Sequence, residues 1–489
     1  MAIPAAPQLS LLVERDNKRH SLEDTGADLW PLSVAPGLPT SLPTERWLPQ
    51  RLPGYQVPEP EREYLRPEYG ERFRCIGSSC EDTCCKDWDV PVDRATYEKY
   101  RSSEMLKPHI GTLVVLNTDA PSTTDYARIP LTGKSLCPFL DSERLCGIHK
   151  QLGADMLSVT CATYPRAVSQ RGTVTENALN LSCPEATRLT LLDANLLGAS
   201  RAGTGIWRSM GSERYRAFQR DSARLPRHYQ PHLAIREFAL LLLADRKYPL
   251  WQRLYLMDLL TKRLEALRGD ASAGEWAAAN PLQVAKLLSD SARMVIVNTL
   301  RPSMNEIEAQ PDKQLQLLVE LMKLRVNQPP VPTRFMECLE DFQSGLGTAT
   351  ATCEAEVLEA YALGNSRYYR PLMEQHPHLM ENYLTNHIFK TGYPFGRPRN
   401  KPLPEGQVVN AQNEHLTMCA HAALAQMLLI GMAKHYGDRF GVEHVVKLVQ
   451  SLAKTIEHSQ TFLDQIPGFL QERNLHNQRG IALLMKLED

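Results

Sequence analysis

The sequence predicts a mainly α protein, with an irregular, metal-organised, cysteine-rich domain followed by an all-helical C-terminal body. Two observations carry this. Eight of the eleven cysteines fall between Cys75 and Cys183. Beyond about residue 205, apolar residues recur at i, i+3, i+4 and i+7 almost without interruption, the period of a helix with one buried face. At 489 residues the chain exceeds one ordinary core, and about two to four folding units are expected.

Residues 1–62 are rich in proline, serine and charge and hold neither a period of 2 nor one of 3.6, which predicts a flexible extension. The texture changes at Tyr64, and residues 63–200 form the expected cysteine-rich domain. Within it TLVVLNTD (112–119) reads as a strand, and YEKYRSSEMLKPHI and KQLGADMLSVTCATY read as short helices. The helical body spans 205–489. Its clearest stretches are LAIREFALLLLADR, LWQRLYLMDLLTKRLEAL, PLQVAKLLSDSARMVIVNTL, KQLQLLVELMKLRV, ENYLTNHIFK, EHLTMCAHAALAQMLLIGMAKHYG and VEHVVKLVQSLAKTIEHS. Prolines at 302, 311, 329, 330 and 332, and the loop GYPFGRPRNKPLPEG (392–406), punctuate them.

With 55 basic against 56 acidic residues, bulk charge announces no nucleic-acid partner. The N-terminus has no basic start followed by an apolar run of signal length, and no apolar stretch approaches a membrane span, so a soluble cytoplasmic protein is expected. In a reducing compartment, closely spaced cysteines are ligands more often than bridges.

Four residues separate Cys75 from Cys80 and three separate Cys80 from Cys84, which Cys85 follows directly. Cys137, Cys146, Cys161 and Cys183 complete the set. Thiolate is the soft ligand that zinc and iron-sulfur clusters take. A zinc ribbon shows paired C-x2-C knuckles; here the one such spacing is the mixed pair Cys146 and His149. The loop-like spacings suit a 4Fe-4S cluster better, with zinc or mononuclear iron as the alternative. Adjacent side chains diverge, so one of Cys84 and Cys85 is expected to ligate and the other to pack. His149 reads either as a ligand or as a helix residue. No glycine-rich dinucleotide turn follows a strand, since AGTGIWRSMG (202–211) has no strand before it. No radical C-x3-C-x2-C, Walker loop, serine elbow or HExxH helix appears either.

RFRCIGSSCEDTCCKDW, CPFLDSERLCGIHKQLGADMLSVTCATYPR, LNLSCPEA and ENYLTNHIFKTGYPFG together resemble the flagellin lysine-N-methylase family, from about residue 64 to the C-terminus. The cysteine-rich part is also similar to zinc- or iron-chelating domains with a CxxxCC core, here Cys80, Cys84 and Cys85. The resemblance implies methylation of surface lysines of flagellin with S-adenosylmethionine as donor. It also implies a 4Fe-4S cluster whose four ligands come from Cys75, Cys80, Cys84, Cys85, Cys137, Cys146, Cys161 and Cys183. A lysine amine titrates near pKa ~10.4 and must lose its proton before attacking a sulfonium methyl. Tyr164, Asp155 and Glu185, beside the cysteine motifs, are candidate bases, while Arg166 is a candidate partner for the cofactor carboxylate or a structural brace. Two other functions compete with the enzyme: a non-enzymatic zinc- or iron-binding module with a helical partner-binding scaffold, and a redox protein exchanging disulfides through Cys84 and Cys85.

Overall fold

The computed structural model describes residues 63–65, 68–119, 121–133, 135–171, 174–196, 231–268, 287, 302–396 and 410–488. The expected extension over 1–62, the segment 202–211 and nearly all of the stretch 281–300 lie outside the described residues.

The cysteine-rich part is built from short elements around two small sheets. Strands β1 (Glu63–Leu65), β5 (Arg166–Arg171) and β6 (Val174–Leu179) form one sheet, in which β6 pairs parallel to β1 and antiparallel to β5. Strands β2 (Val90–Val92), β3 (Val115–Leu116) and β4 (Ala127–Ile129) form the other, with β4 central and antiparallel to both. Five short helices lie among them: α1 (Glu68–Arg72), α2 (Arg94–Ser102), α3 (Gly147–Leu152), α4 (Val159–Thr163) and α5 (Pro184–Leu191). Buried Asp93 ties two of these together. Its carboxylate caps α2 by accepting from Thr96 N (2.9 Å), and it also accepts from Val159 N at the start of α4 (3.0 Å).

The strand expected over 112–119 shrinks to Val115–Leu116. Its first residues are taken by a turn, in which the His109 carbonyl accepts from the amides of Thr112, Leu113 and Val114. The helix expected over 97–110 ends with α2 at Ser102 and resumes only as a 3-10 turn at Lys107–His109, and that over 150–164 breaks into the end of α3, a 3-10 turn at Ala154–Met156 and α4.

The helical body comprises α6 (Pro231–Ala244), α7 (Leu250–Arg268), α8 (Pro311–Val326), α9 (Thr333–Leu346), α10 (Glu354–Leu363), α11 (Arg370–Gln375), α12 (His378–Thr391), α13 (Ala411–Tyr436), α14 (Val442–Ile456), α15 (Gln460–Glu472) and α16 (Gln478–Met485). Helix α13 is its axis. It is long and apolar enough to cross a membrane, yet its apolar window is entirely buried by the rest of the protein, as expected of a core helix.

Two glycines let α9 and α13 touch backbone to backbone. A Cβ on Gly345 would sit 1.9 Å from the Gly431 carbonyl oxygen, and one on Gly431 would sit 2.3 Å from the Phe342 ring. Nothing larger than hydrogen fits at either position.

One imidazole in this core gives a pH prediction. His415 is fully buried; its Nε2 lies 2.9 Å from the Leu254 carbonyl and its Nδ1 lies 2.9 Å from the Tyr393 hydroxyl. A carbonyl only accepts, so Nε2 carries the proton and Nδ1 accepts from the tyrosine. Burial pushes this histidine down to about 4. Because the folded pKa is depressed, the unfolded chain binds the extra proton. The contribution is therefore fully present above the unfolded value near ~6.5 and drains away as pH falls toward about 4. Urea unfolding across that window is expected to lose up to about 1.4 kcal/mol per pH unit from this residue. His415→Gln should flatten the slope, and an unchanged slope would refute the assignment.

Candidate metal centre and its junction with the helical body

All eleven cysteines are free thiols. The Cys84 and Cys85 thiols hydrogen-bond each other, and Cys85 also bonds to Cys137. The backbone reinforces the second contact, since Cys137 N donates to the Cys85 carbonyl at 2.8 Å. Cys146 and Cys161 lie within electrostatic reach of this group. Cys85, Cys137, Cys146 and Cys161 share one small apolar core with Val90, Tyr97, Tyr100 and Ile148. On the other side of Cys84 are Cys80 and Cys183, the latter in a separate core with Tyr69 and Phe73. Cys84 therefore joins two groups of sulfurs.

Local structure explains how these thiols are held. Cys146 and Cys183 are the N-cap residues of α3 and α5. The amides of Ile148 and His149 near Cys146, and those of Glu185 and Ala186 near Cys183, lower these thiols against the effect of burial, although neither sulfur makes a cap hydrogen bond. Such N–H donors at helix starts favour thiolate. The Phe139 amide serves Cys137, and Cys161 is positioned by the Ser158 cap of α4 (3.2 Å). Cys75 is exposed, and its sulfur accepts from Gly77 N at 3.4 Å.

Protonation follows from the crowding. The bond to Cys85, then burial, holds the Cys84 thiol far above the usual range; Cys85 is pushed to about 12, first by its bond to Cys137. Burial raises Cys161 and Cys183 to about 12 and moves Cys80 and Cys146 upward as well. Cys137 moves down, because it accepts the Cys85 hydrogen. Without a cation, most of these sulfurs keep their protons at neutral pH. A metal ion reverses that balance, since a coordinating thiol is deprotonated outright. The donor set, soft sulfurs with directed N–H groups, fits a thiolate-held metal.

The thiols sit on a polar junction with α12 and α14. Lys454 of α14, nearly buried, pairs with Asp82 (3.0 Å) and Asp87 (3.2 Å), which flank the Cys84–Cys85 pair. Gln450, one turn earlier, donates to Asp82 Oδ2 and to the Ser182 carbonyl, both at 2.8 Å. From α12, Asn386 donates to the Leu179 carbonyl (2.9 Å) and accepts from the Tyr69 hydroxyl (2.8 Å), while Asn382 donates to the carbonyls of Leu191 and Asp193. A line of side chains also crosses this junction. The Tyr164 hydroxyl, near Cys183 and Cys84, lies 3.1 Å from Ser182 Oγ, which lies 3.0 Å from His458 Nε2.

The helical body is what decides the family: the FliB lysine N-methylase C-terminal domain matches residues 236–484. This chain belongs to the FliB lysine N-methylase family. Among curated proteins, a lysine-N-methylase of Salmonella typhimurium is 35% identical over 136 residues, 27% of this chain and 34% of that protein. A lysine-N-methylase of Salmonella choleraesuis matches to the same extent. The chain thus matches about a third of the length of these two relatives. The flagellar biosynthetic protein FliU of Salmonella muenchen is 35% identical over 133 residues, 27% of this chain and 78% of that protein. No solved structure matches.

In this member of the family, the other residues singled out from sequence fall as follows. Tyr164 is half-buried, and desolvation keeps its phenol protonated, so it serves as a hydrogen-bonding group beside the thiols. Glu185 pairs with Arg188 at 3.2 Å, and Asp155 is exposed, its carbonyl accepting from Lys99. The Arg166 guanidinium stacks over the Phe73 ring, 5.2 Å from its centroid, and faces the Phe73 carbonyl at 3.5 Å, a bracing position. His149 is exposed, and its amide, rather than its ring, addresses Cys146. Sequence reasoning missed Lys454, Gln450 and His458. The one available signal was a lysine and a glutamine on the buried stripe of VEHVVKLVQSLAKTIEHS.

Proposed function

We propose that this chain is a protein-lysine N-methyltransferase that modifies surface lysines of flagellin in the cytoplasm, with S-adenosylmethionine as methyl donor and a 4Fe-4S cluster on its thiols. The observation that carries the reading is a family-specific helical body joined, through α12 and α14, to a nest of seven mutually interacting cysteines. The relatives' names, lysine-N-methylase and FliU, support the reaction class and the flagellar context. Cys80, Cys84, Cys85, Cys137, Cys146, Cys161 and Cys183 are the ligand candidates, and exposed Cys75 borders them in sequence. The cluster, when bound, supplies Lewis-acidic iron in a site of low dielectric. The chain's own part is to exclude water and hold a lysine amine unprotonated, which burial favours by disfavouring the ammonium form. Ser182 and His458, whose Nε2 lies 3.0 Å from the Ser182 hydroxyl, give that amine a hydrogen-bonded partner line.

Anaerobic purification, iron and sulfide analysis, and transfer of labelled methyl groups from S-adenosylmethionine to flagellin test this reading together. About four irons and four sulfides per chain, with transfer abolished by Cys85→Ser, are expected. Zinc without sulfide, and no transfer, would replace it with the non-enzymatic binding module.

A further inference from the structure

Three chemistry-bearing side chains meet inside the helical body, apart from the thiols. His387 of α12, His421 of α13 and Glu457, which caps the C-terminus of α14, each bring a ligand atom to within 4.8 Å of the other two. The two imidazole rings meet edge to face, with centroids 5.3 Å apart. Both histidines are buried, and the glutamate side chain is only 8% exposed.

We propose that His387, His421 and Glu457 form a second metal site, for a single divalent cation of the zinc class. Two imidazoles and a carboxylate are the donor set of three-ligand zinc sites, with bonds of about 2.0–2.2 Å, and they leave one position of a four-coordinate ion open. That pattern belongs to ions that bind a water or a substrate group rather than to closed structural sites. One further observation points the same way. Tyr383, one turn before His387 on the same face of α12, is buried, its hydroxyl meets no hydrogen-bond partner among the described residues, and it lies in the field of Glu457. A buried hydroxyl left unsatisfied costs about 1–3 kcal/mol, a cost that an ion-bound water at this place would relieve. In this structure the carboxylate is paired with Lys390, whose Nζ sits 2.6 Å from Glu457 Oε2. Lys390 is one turn after His387, at the edge of the group, and its ammonium competes with a dication for Glu457.

The site shares no donor with the thiols and its test does not pass through methyl transfer, so it stands or falls separately from the proposed activity. Full-length protein would be stripped and reloaded with Zn2+, and in parallel with Co2+. The wild type is expected to bind about one zinc beyond what the thiols take, and the cobalt form should carry a ligand-field spectrum without sulfur charge transfer from this site. Cys137→Ser leaves that ion in place, whereas the pair His387→Gln and His421→Gln loses it. Lys390→Met tightens zinc binding by removing the competing charge, and it keeps the three donors should the histidine pair fail to fold. Zinc content and cobalt spectrum unchanged in the folded histidine pair, or binding weakened by Lys390→Met, would overturn the proposal.

Discussion

Glu381→Gln is expected to lower the free energy of unfolding by about 3–5 kcal/mol, the usual cost of breaking a buried ion pair from one side. Glu381 is fully buried on α12. Its carboxylate receives Arg246 Nη2 at 2.6 Å and Arg246 Nε at 3.0 Å to both oxygens; Arg253 Nη1 reaches it at 2.7 Å. Arg253 is itself buried, and besides Glu381 it donates to the Leu243 carbonyl (2.6 Å). An amide retains the shape but forfeits the charge that two guanidiniums need, and Arg253 then stays desolvated without a counter-ion. A surface pair gives the contrast. Arg101 and Glu98, roughly half exposed at 59% and 48%, should contribute about 0–1 kcal/mol. Urea unfolding of Glu381→Gln beside Arg101→Ala separates the two, with the midpoint moving and the denaturant slope held constant. A loss below about 1 kcal/mol in Glu381→Gln would mean that water reaches Arg253 more freely than the packing shows.

The two halves of the molecule were legible in the sequence to different degrees, and for different reasons. Helix periodicity survives in α8 and α14 because each keeps a solvent side, as exposed Lys313 and Glu443 mark. In α12 and α13 the helix is still legible but the function of its residues is not, since both are buried nearly all round and no polar stripe remains to orient them. The polar residues of ENYLTNHIFK stand out only as misfits in an apolar core. Their partners, Leu179, Tyr69, His421 and Glu457, come from distant parts of the chain. Strand β1 escaped notice because its parallel pairing joins Glu63 to Val174, a contact with no local signature.

The cysteines were the reverse case. Their grouping was visible as bare density along the chain, but their partition was not. Cys84 and Cys85 do not diverge as expected of adjacent residues: their thiols hydrogen-bond each other, with Cys84 exposed and Cys85 half-buried in the core of Val90 and Tyr100. Both remain in the sulfur network, because Cys85 also bonds to Cys137 while Cys84 lies in reach of Cys80 and Cys183.

Lys454→Met should detach the Cys80–Asp89 segment from α14 while leaving α13 untouched. The ammonium of Lys454 stands between Asp82 and Asp87, with the three side chains 9%, 6% and 10% exposed. Its removal leaves two carboxylates facing each other with little water, and the pair cannot be rescued by Gln450, whose amide already serves Asp82 and Ser182. The cost, again about 3–5 kcal/mol, falls on one short segment that lacks long helices of its own, so it can be met by local opening before the helical body unfolds. Amide exchange in residues 80–89 is therefore expected to accelerate by two or more orders of magnitude, about 1.4 kcal/mol for each factor of ten, while α13 keeps its protection. Cys80 and Cys84 should become correspondingly more reactive toward a thiol reagent, and Cys419, fully buried in α13, should not. Equal acceleration in both regions would show that the junction and the core open together, in which case Lys454 supports the whole fold rather than the presentation of the thiols.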